Sequence, residues 1–582
     1  MLEVKTLHPV DFAVIAAYFV IIIGIGIYFA KYVRRAKDYF TAGSNIPWWL
    51  AAISFWMATF SSLGFVTYSE LGYKYGLTAL TLYCITVPGM IIGGWLFVGK
   101  WRRARQMSPI GFVEARFSPA LKQVFVWTGF PLRMADNAIR IYATAIFLSA
   151  ALGSEHFTMT RIIWMTGAIT LGYSFLGGQW AVIVTDFVQF IILCLAVLTV
   201  FPLSLKAVAS SGGFISRMPE GFLSPLQPPY DAYQILTWIV LAFFSFHAGW
   251  SMIQKYNCVQ SEKDARKVVY AVAFWSILGP IIFYTPAMMA RIMFPELENP
   301  RFAYAYMSLS VLPVGMLGVM IAAIFSATLS TLSNEFTMLS SVLTNDFYAK
   351  KINPNADEHH LIKMGRFNSI LIGTATISIA IGLQYVKGMN LFDIMVKAYT
   401  AFAPAIMVPL LGGIMFKRLN SKGTMTGIVS GFVSGSSLLI LNIILVGMFS
   451  ERFVENARLN YWLNQGWTST SIIINFGVAI IGCWLGSVRG ATPDDERKRI
   501  DAFFTQLDTP YVSDGEDANE SPFPVIGMVV MFMGLGMTAV AFFVSAVYNN
   551  PEWFKLDLIA ASALFVTGLI IWLASRKKQG KS

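Results

Sequence analysis

Residues 322–348 read A-A-I-F-S-A-T-L-S-T-L-S-N-E-F-T-M-L-S-S-V-L-T-N-D-F-Y, an apolar stretch that carries a nearly unbroken series of hydroxyls. The hydroxyls recur at three- and four-residue steps, so a helix here places them along one face. They are Ser326, Ser330, Ser333, Thr337, Ser340, Ser341 and Thr344. A second face of the same helix repeats the pattern with Ala327, Ser330, Thr331 and Asn334.

Two explanations account for this stripe of hydroxyls. Small oxygen ligands on one side of a membrane helix can replace part of the hydration shell of a hard cation such as sodium. Small residues also allow helices to pack closely. The stripe ends in Glu335 and in Asp346-Phe347-Tyr348, and that pattern favours the ion site.

The composition indicates an all-α polytopic membrane protein. Of 582 residues, 56% are hydrophobic and 13% are charged, and the mean hydropathy is +0.60, which is too much apolar surface for a soluble core. About fifteen hydrophobic stretches are long enough to span a bilayer. They cover residues 11–31, 46–70, 77–98, 124–152, 160–178, 180–205, 233–254, 267–292, 313–346, 364–386, 391–415, 423–447, 467–487, 522–546 and 557–575.

Basic residues divide the predicted loops into two groups. One group carries most of the Lys and Arg, which marks cytoplasmic loops. It contains Lys31, Arg34, Arg35, Lys37, Lys100, Arg102, Arg103, Arg105, Lys255, Lys263, Arg266, Lys267, Lys350, Lys351, Lys363, Arg366, Lys417, Arg418, Lys422, Arg489, Arg497, Lys498, Arg499, Arg576, Lys577, Lys578 and Lys581. This predicts a multi-pass protein of the cell membrane with its N-terminus outside and its C-terminus in the cytoplasm. The net charge of +11 then reflects orientation in the lipid bilayer, and no nucleic-acid partner is needed.

Other features point away from catalysis and from a secreted protein. We find no metal-ligand spacing, phosphate-binding loop or nucleophile with a paired base, so we do not expect an enzyme. The first apolar run lies between acidic residues and Arg34-Arg35, the reverse of a secretory signal, and predicts a retained helix. Residues 488–521 hold mixed charges and turn formers, which predict a cytoplasmic linker with at most a short surface helix.

The helix at 322–348 resembles the eighth core helix of the solute:sodium symporter family, which reads much like L-S-T-L-S-x(12)-D-x-Y. In this chain these residues are 329–333, Asp346 and Tyr348. The resemblance continues through 185–189 in the fifth core helix, 397–404, and 411–418 with Gly423 and Gly427 at the junction of the tenth and eleventh helices. It covers residues 10 to about 485 and is more specific for the family than for the solute.

The resemblance implies two inverted five-helix repeats with additional N- and C-terminal helices. The regions are an extra N-terminal transmembrane helix and cytoplasmic loop at 1–45, the repeats at 46–205 and 233–415 with an extracellular loop at 206–232 between them, two additional helices at 416–487, the linker at 488–521, and two C-terminal helices with a basic tail at 522–582.

Transporters of this broad type place their sites at the membrane midplane, on helices with an interrupted backbone. Two segments fit: A-T-F-S-S-L-G at 58–64 and S-F-H-A-G-W-S at 245–251. Packing notches are the alternative explanation.

The resemblance also implies a shared sodium site, built from two carbonyls of the first core helix and from one carbonyl and two hydroxyls of the eighth. In this chain its members are Met57, Phe60, Ala327, Ser330 and Thr331. Some family members hold a second sodium, which here corresponds to Asp186, Ser330, Ser333 and Asn334, with Asn334 replacing a serine. A carboxylate inside a membrane is costly and usually marks an ion pathway. Asp186 therefore belongs either to this second site or to a sodium exit path, unless it is merely solvated near its helix end.

The solute site is the least determined part. Sugar-transporting members carry Gln, Glu and Asn at positions that align with Gly64, Tyr83 and residues 250–251, and that polar set is absent here. The remaining candidates form an aromatic pocket with one cation: Ser62, Leu63, Tyr83, Thr86, His247, Trp250, Ser251 and Lys397. Lys397 either binds a substrate carboxylate or pairs with Asp393 one helical turn away.

Together these features predict a sodium-coupled secondary active symporter that imports a small organic solute by alternating access. A membrane sensor or a sodium-independent channel or facilitator on the same scaffold is the alternative. The sequence leaves the solute, the sodium stoichiometry and the oligomeric state open.

Overall fold

The computed structural model describes most of the chain, and the described part is almost entirely helical. It covers residues 7–30, 46–106, 109–152, 158–174, 178–210, 217–385, 391–449, 459, 461–490, 492–511, 523–548 and 551–579. Within these ranges the only bridge between extended segments joins Ile46 and Val259. The predicted all-α class is confirmed.

Ten α-helices make up the first part of the described chain. They are α1 (Pro9–Ala30), α2 (Trp48–Thr59), α3 (Ser62–Tyr75), α4 (Leu77–Cys84), α5 (Thr86–Gly93), α6 (Gly99–Arg103), α7 (Pro109–Arg116), α8 (Pro119–Leu152), α9 (Met159–Ser174) and α10 (Gly178–Ser210). A π-helical turn at Gly94–Val98 joins α5 to α6.

Twelve more α-helices follow. They are α11 (Ala232–Ala248), α12 (Trp250–Asn257), α13 (Glu262–Met293), α14 (Ala303–Val311), α15 (Met316–Ser341), α16 (Glu358–Leu383), α17 (Leu391–Met415), α18 (Ser421–Phe449), α19 (Trp467–Arg489), α20 (Asp494–Asp508), α21 (Phe523–Tyr548) and α22 (Pro551–Gln579). Short 3₁₀ and π segments lie at Pro300–Phe302, Val342–Ile352 and Trp462–Gly466.

Most of these helices can cross a membrane. Eleven helical segments in the described part of the chain are each long and apolar enough to cross a membrane, and the run from α4 to α6 counts as one such segment. The number of candidate spans rises to 13 when each of two bent helix pairs counts as one. The other two predicted spans correspond to α8, which carries Arg133, Asp136 and Arg140 in its centre, and to α9, which has 16 residues. The count of about fifteen spans stays a prediction.

Helix α15, which carries the hydroxyl stripe, lies at the centre of the bundle. Every side chain from Met316 to Ser341 is buried. The helix packs against α1, α2, α8, α10 and α16. Lipid therefore does not reach the stripe, and its hydroxyls can serve neighbouring helices or an ion.

The N-terminal helix is anchored to the start of α15. Asp11 Oδ1 accepts hydrogen bonds from the backbone N–H groups of Gly315 and Gly318, at 2.7 and 2.9 Å. A carboxylate at a helix N-terminus satisfies N–H groups that have no partner within the helix. Gly315 has φ = +90°, a conformation that favours glycine and lets the chain turn into α15.

The family-like motif at 411–418 is held by one buried arginine. The Arg116 guanidinium donates to the carbonyls of Gly413, Phe416 and Leu419, at 2.9, 3.1 and 2.6 Å. These carbonyls follow the last turn of α17, where the helix leaves acceptors without partners. A Cβ atom at position 413 would lie 2.6 Å from the Phe117 ring, so glycine at this position allows α17 to approach that ring closely.

The Asp346 motif forms a second buried junction. Lys122 Nζ lies 2.9 Å from Asp346 Oδ1 and 2.9 Å from Glu114 Oε2, and its side chain is 2% exposed. Lys350 also pairs with Glu114. Partial burial raises the pKa of Glu114, but hydrogen bonds from Lys350 and Lys122 outweigh it and hold that pKa below its ordinary value. This cluster joins α7, α8 and the π segment after α15.

The 488–521 region contains the expected short helix, and the structure shows that it docks on the body of the protein. Helix α20 buries Ile500, Phe503 and Leu507. The Phe503 ring lies 5.4 Å from the Phe112 ring. Arg103 donates to the Leu507 carbonyl at 3.1 Å, so α20 joins the basic segments that contain α6 and α7.

We expect Arg116→Met to lower the free energy of unfolding by about 3 kcal/mol, because it removes several charge-assisted hydrogen bonds and leaves buried carbonyls without a donor. Arg418→Met is the matched control, since Arg418 is exposed at the same junction. Thermal unfolding of the detergent-purified variants measures both effects. Equal stability of the two variants would show that Arg116 does not hold the junction.

Candidate functional site

Two broken helices face the middle of the bundle. The axes of α2 and α3 differ by 62°, and those of α11 and α12 differ by 50°. Phe60 and Gly249 interrupt the pairs with extended backbone, with ψ = 124° at each. Both predicted interruptions are thus present. A broken helix at membrane depth exposes carbonyls that need a cavity, an ion or a neighbouring side chain.

Three carbonyls converge on the hydroxyl of Thr331. Thr331 Oγ1 lies 3.3 Å from the Met57 carbonyl, 2.9 Å from that of Phe60 and 3.1 Å from that of Ala327. A threonine hydroxyl has one hydrogen to donate. It can donate to one of these carbonyls at a time, and the Met57 carbonyl also accepts from the Phe60 backbone N–H at 3.2 Å. Several oxygens thus lie together, and oxygen ligands suit a small hard cation.

The start of α3 is tied to α8 and α15 by a group of three buried hydroxyls. The Ser62 backbone N–H donates to Thr328 Oγ1 at 3.1 Å, and the hydroxyls of Ser62 and Thr144 are 2.6 Å apart. The Thr144 hydroxyl also lies 2.9 Å from that of Thr328. This network positions the break beside the converging carbonyls.

Asp186 is fully buried, so the explanation that it is merely solvated is wrong. Its Oδ2 atom accepts hydrogen bonds from Ser54 and from Asn334 Nδ2, the latter at 3.1 Å. Lys255 Nζ lies 4.0 Å from the same oxygen and donates to Asn334 Oδ1. The Ser330 side chain lies beside Asp186.

The sequence does not predict the surroundings of Lys255 and Ser333. Lys255, which the charge pattern assigns to a cytoplasmic loop, is 0% exposed on α12. Ser333 donates to the Ser330 carbonyl of its own helix at 3.0 Å. The residues predicted for a second sodium site are therefore close together, but a lysine ammonium lies among them.

Four further charges lie at membrane depth, on α8 and α15. Arg140 pairs with Asp136 at 3.0 Å and donates to Ser61 Oγ at 3.1 Å. Arg133 pairs with Glu335 at 3.0 Å. The residues predicted for the site do not include Arg133, Asp136 or Arg140, although three charges at helical spacing inside an apolar run are a signal for function.

Aromatic side chains surround the two breaks. The Arg133 guanidinium lies 4.7 Å from the Trp250 ring centre, and Trp250 is 1% exposed. Tyr83 contacts Tyr68 and Tyr284, with ring centres 5.2 and 5.6 Å apart. Tyr83 and Trp250 are the aromatic residues that the sequence predicts for the solute pocket.

The remaining candidate residues are more dispersed. Leu63 packs with Ile139 and Ala143 of α8, Thr86 donates to the Tyr83 carbonyl at 3.1 Å, and Ser251 is buried beside Trp250.

His247 and Lys397 lie apart from the Thr331 cluster. His247 is packed against α5, where its Nε2 lies 3.2 Å from the Gly89 carbonyl. Lys397 lines a narrow crevice with Asn442 and Trp467, between α17, α18 and α19. The Asp393 side chain, its proposed partner, lies outside the described residues.

Comparison with known proteins places this geometry in a family. Residues 39–431 match the profile of the Sodium:solute symporter family. Sodium/myo-inositol cotransporter 2 of Sus scrofa is 26% identical over 488 residues, which cover 76% of this chain and 71% of that protein. The sodium/sialic acid symporter NanT of Aliivibrio fischeri is 24% identical (74% and 88% covered), and the sodium/glucose cotransporter of Vibrio parahaemolyticus is 25% identical (72% and 83%).

Two solved structures share the fold. A Na+-coupled sialic acid symporter in its substrate-bound outward-open state superposes with a TM-score of 0.64 at 19% identity, covering 83% of this chain and 99% of that one. Mhp1, a nucleobase-cation-symport-1 family transporter in a closed conformation, superposes with a TM-score of 0.50 at 15% identity, covering 81% and 100%. At these identities the likeness concerns the fold alone.

Proposed function

Since the chain belongs to the Sodium:solute symporter family, and is a multi-pass membrane protein that couples sodium to the transport of a small organic solute, we propose where its ion and solute bind. Sodium binds between the break of α2 and α3 and the middle of α15. Its proposed ligands are the carbonyls of Met57, Phe60 and Ala327 and the hydroxyls of Ser330 and Thr331.

The observation that carries this proposal is the convergence of three carbonyls on one hydroxyl. The Thr331 hydroxyl lies within 3.3 Å of all three, yet has one hydrogen to share. Two of the three carbonyls also take part in backbone hydrogen bonding, since that of Met57 accepts from the Phe60 N–H at 3.2 Å and that of Ala327 lies inside α15. Their remaining lone pairs, together with the Phe60 carbonyl at the break, form a ligand set that is all oxygen, as hard cations prefer.

We place the solute on the other side of the same break. Arg140 donates to Ser61 there and keeps part of its surface accessible, with 19% of its side chain exposed. The proposed contacts are Ser62, Leu63, Tyr83, Thr86, Trp250 and Ser251 from the predicted set, together with Arg140 and Asp136. The paired charges supply both donors and acceptors, which suits a polar solute.

Sodium binding is coupled to solute binding because the two proposed sites share the break between α2 and α3. Sodium joins α2 to α15, and the Ser62, Thr144 and Thr328 hydroxyls join α3 to α8 and α15. A bound ion therefore holds Ser61 and Arg140 in one arrangement, which completes the solute site. Alternating access then carries both to the other side of the membrane.

We also propose the orientation. The docking of α20 supports it, because Lys417 pairs with Asp501 at 2.6 Å and Arg103 binds the Leu507 carbonyl. The basic segments that contain Arg103, Lys417 and α20 thus lie on one side of the protein. The positive-inside rule makes that side cytoplasmic, with the C-terminus there and residue 1 outside.

We expect Ser330→Ala and Thr331→Ala to raise the sodium concentration for half-maximal uptake about tenfold, which corresponds to about 1.4 kcal/mol of affinity. Each removes one oxygen without burying a new charge. Ser326→Ala is the control, because Ser326 lies on the same helix but contacts Tyr18. Uptake into proteoliposomes at varied sodium measures the effect, and unchanged sodium dependence would mean that the hydroxyls only pack helices.

We expect Arg140→Met to raise the solute concentration for half-maximal uptake at least about tenfold, because it removes a charged hydrogen-bond donor from the solute site. The sodium dependence should change little. Myo-inositol, glucose and sialic acid, the solutes named for the relatives, form the first panel for counterflow. Arg161→Met, at the exposed start of α9, serves as the control. A larger change in sodium dependence than in solute affinity would contradict this assignment.

Cysteine labelling checks the orientation. In a background without the four native cysteines, Glu220→Cys should react with a membrane-impermeant maleimide added to whole cells. Thr505→Cys, exposed on α20, should react after permeabilisation only. Labelling of Thr505→Cys in intact cells would reverse the proposed topology.

A further inference from the structure

The group around Asp186 contains its own cation. Lys255 Nζ lies 4.0 Å from Asp186 Oδ2, and both side chains are 0% exposed. Asn334 connects them, because its Oδ1 accepts from Lys255 while its Nδ2 donates to Asp186 Oδ2 at 3.1 Å. Ser54 donates to the same carboxylate oxygen. These residues come from α2, α10, α12 and α15, so four helices meet at one buried ion pair.

We propose that the Lys255 ammonium is a built-in cation that occupies the place of a second sodium ion, so that the protein binds one sodium per transport cycle. The inference rests on the proposed sodium site at Thr331, which supplies the single ion. It assigns Lys255 as the residue that sets the coupling ratio.

Charge balance supports this assignment. The Asp186 carboxylate carries one negative charge, which the ammonium already neutralises. A sodium ion added beside them would leave one uncompensated positive charge in a fully buried site, and burying an unpaired charge is costly. Among the described residues, Asp186 is the acidic side chain within ion-pair distance of Lys255.

Geometry supports it as well. The Asn334 amide oxygen, which a second ion would need as a ligand, instead accepts a hydrogen bond from Lys255. The Thr331 cluster has no such cation. It contains three carbonyls and one hydroxyl, and the described part of the chain places no lysine or arginine in hydrogen-bonding contact with it.

Removing the ammonium should therefore create a sodium site. In Lys255→Met the carboxylate of Asp186 and the amide oxygen of Asn334 are released, beside the Ser330 hydroxyl. The second ion would bind beside Asp186, in the place that the ammonium leaves. Lys255→Arg keeps the positive charge and should keep one ion.

The test is equilibrium binding of radioactive sodium to the purified full-length protein, with no solute present. The wild type and the surface control Lys267→Met should bind one ion per molecule with a Hill coefficient near one. Lys255→Met should bind two ions per molecule. The double variant Lys255→Met/Asp186→Asn, which removes both charges, should return to one ion with an affinity within about threefold of the wild type.

Several outcomes would overturn the inference. Two ions in the wild type would show that sodium and Lys255 share the site, and one ion in a folded Lys255→Met would show that the ammonium blocks nothing. If Lys255→Met does not fold, the double variant decides: a loss of affinity of about tenfold or more would identify Asp186 as a ligand of the single sodium, whereas retained affinity supports the proposal.

The two proposals fail in different ways. If Thr331→Ala binds sodium as tightly as the wild type, the proposed sodium site is wrong, whatever the ion count. If Thr331→Ala weakens binding but the wild type holds two ions, the sodium site stands and the role of Lys255 is wrong.

Discussion

The structure depends on a constraint that lipid imposes on the backbone: a carbonyl at membrane depth must have a partner. The break at Phe60 releases acceptors from the α2 ladder, and α15 meets them with the Thr331 hydroxyl. The Met57 carbonyl also accepts from the Phe60 N–H, so the local turn and the Thr331 hydroxyl pair these acceptors together. The proposed sodium ion would bind to the same oxygens and so connect α15 to the broken helix.

Helix α15 can place hydroxyls beside these carbonyls because lipid does not contact it. All its side chains are buried, so serine and threonine at successive turns cost little once they face other helices. Some of these hydroxyls bond only within the protein, as Ser326 does with Tyr18. Helix packing therefore accounts for some residues of the stripe, and the proposed ion site involves others on the same helix.

Two buried ion pairs join separate parts of the structure. Lys255 with Asp186 joins α12 to α10, and Lys122 with Asp346 joins α8 to the segment after α15. A buried ion pair adds little net stability, but breaking one is strongly destabilising. Such pairs fix which helices are neighbours. Arg140 with Asp136 differs, because both lie on α8 and stay partly accessible beside the break.

The sequence by itself determined the membrane class, the hydroxyl face of α15, both helix breaks and the presence of the Asp186 carboxylate within an apolar helix, because apolar length, helical period and helix-breaking residues are local properties. It could not show that Lys255 is buried, since a lysine just beyond a predicted span looks like any loop cation until the neighbouring helix is known.

Arg133, Asp136 and Arg140 were visible as charges inside a span, yet their partners Glu335 and Ser61 come from other helices. Only the tertiary structure decided these pairings, because distances between helices depend on how the whole bundle packs and not on any one segment.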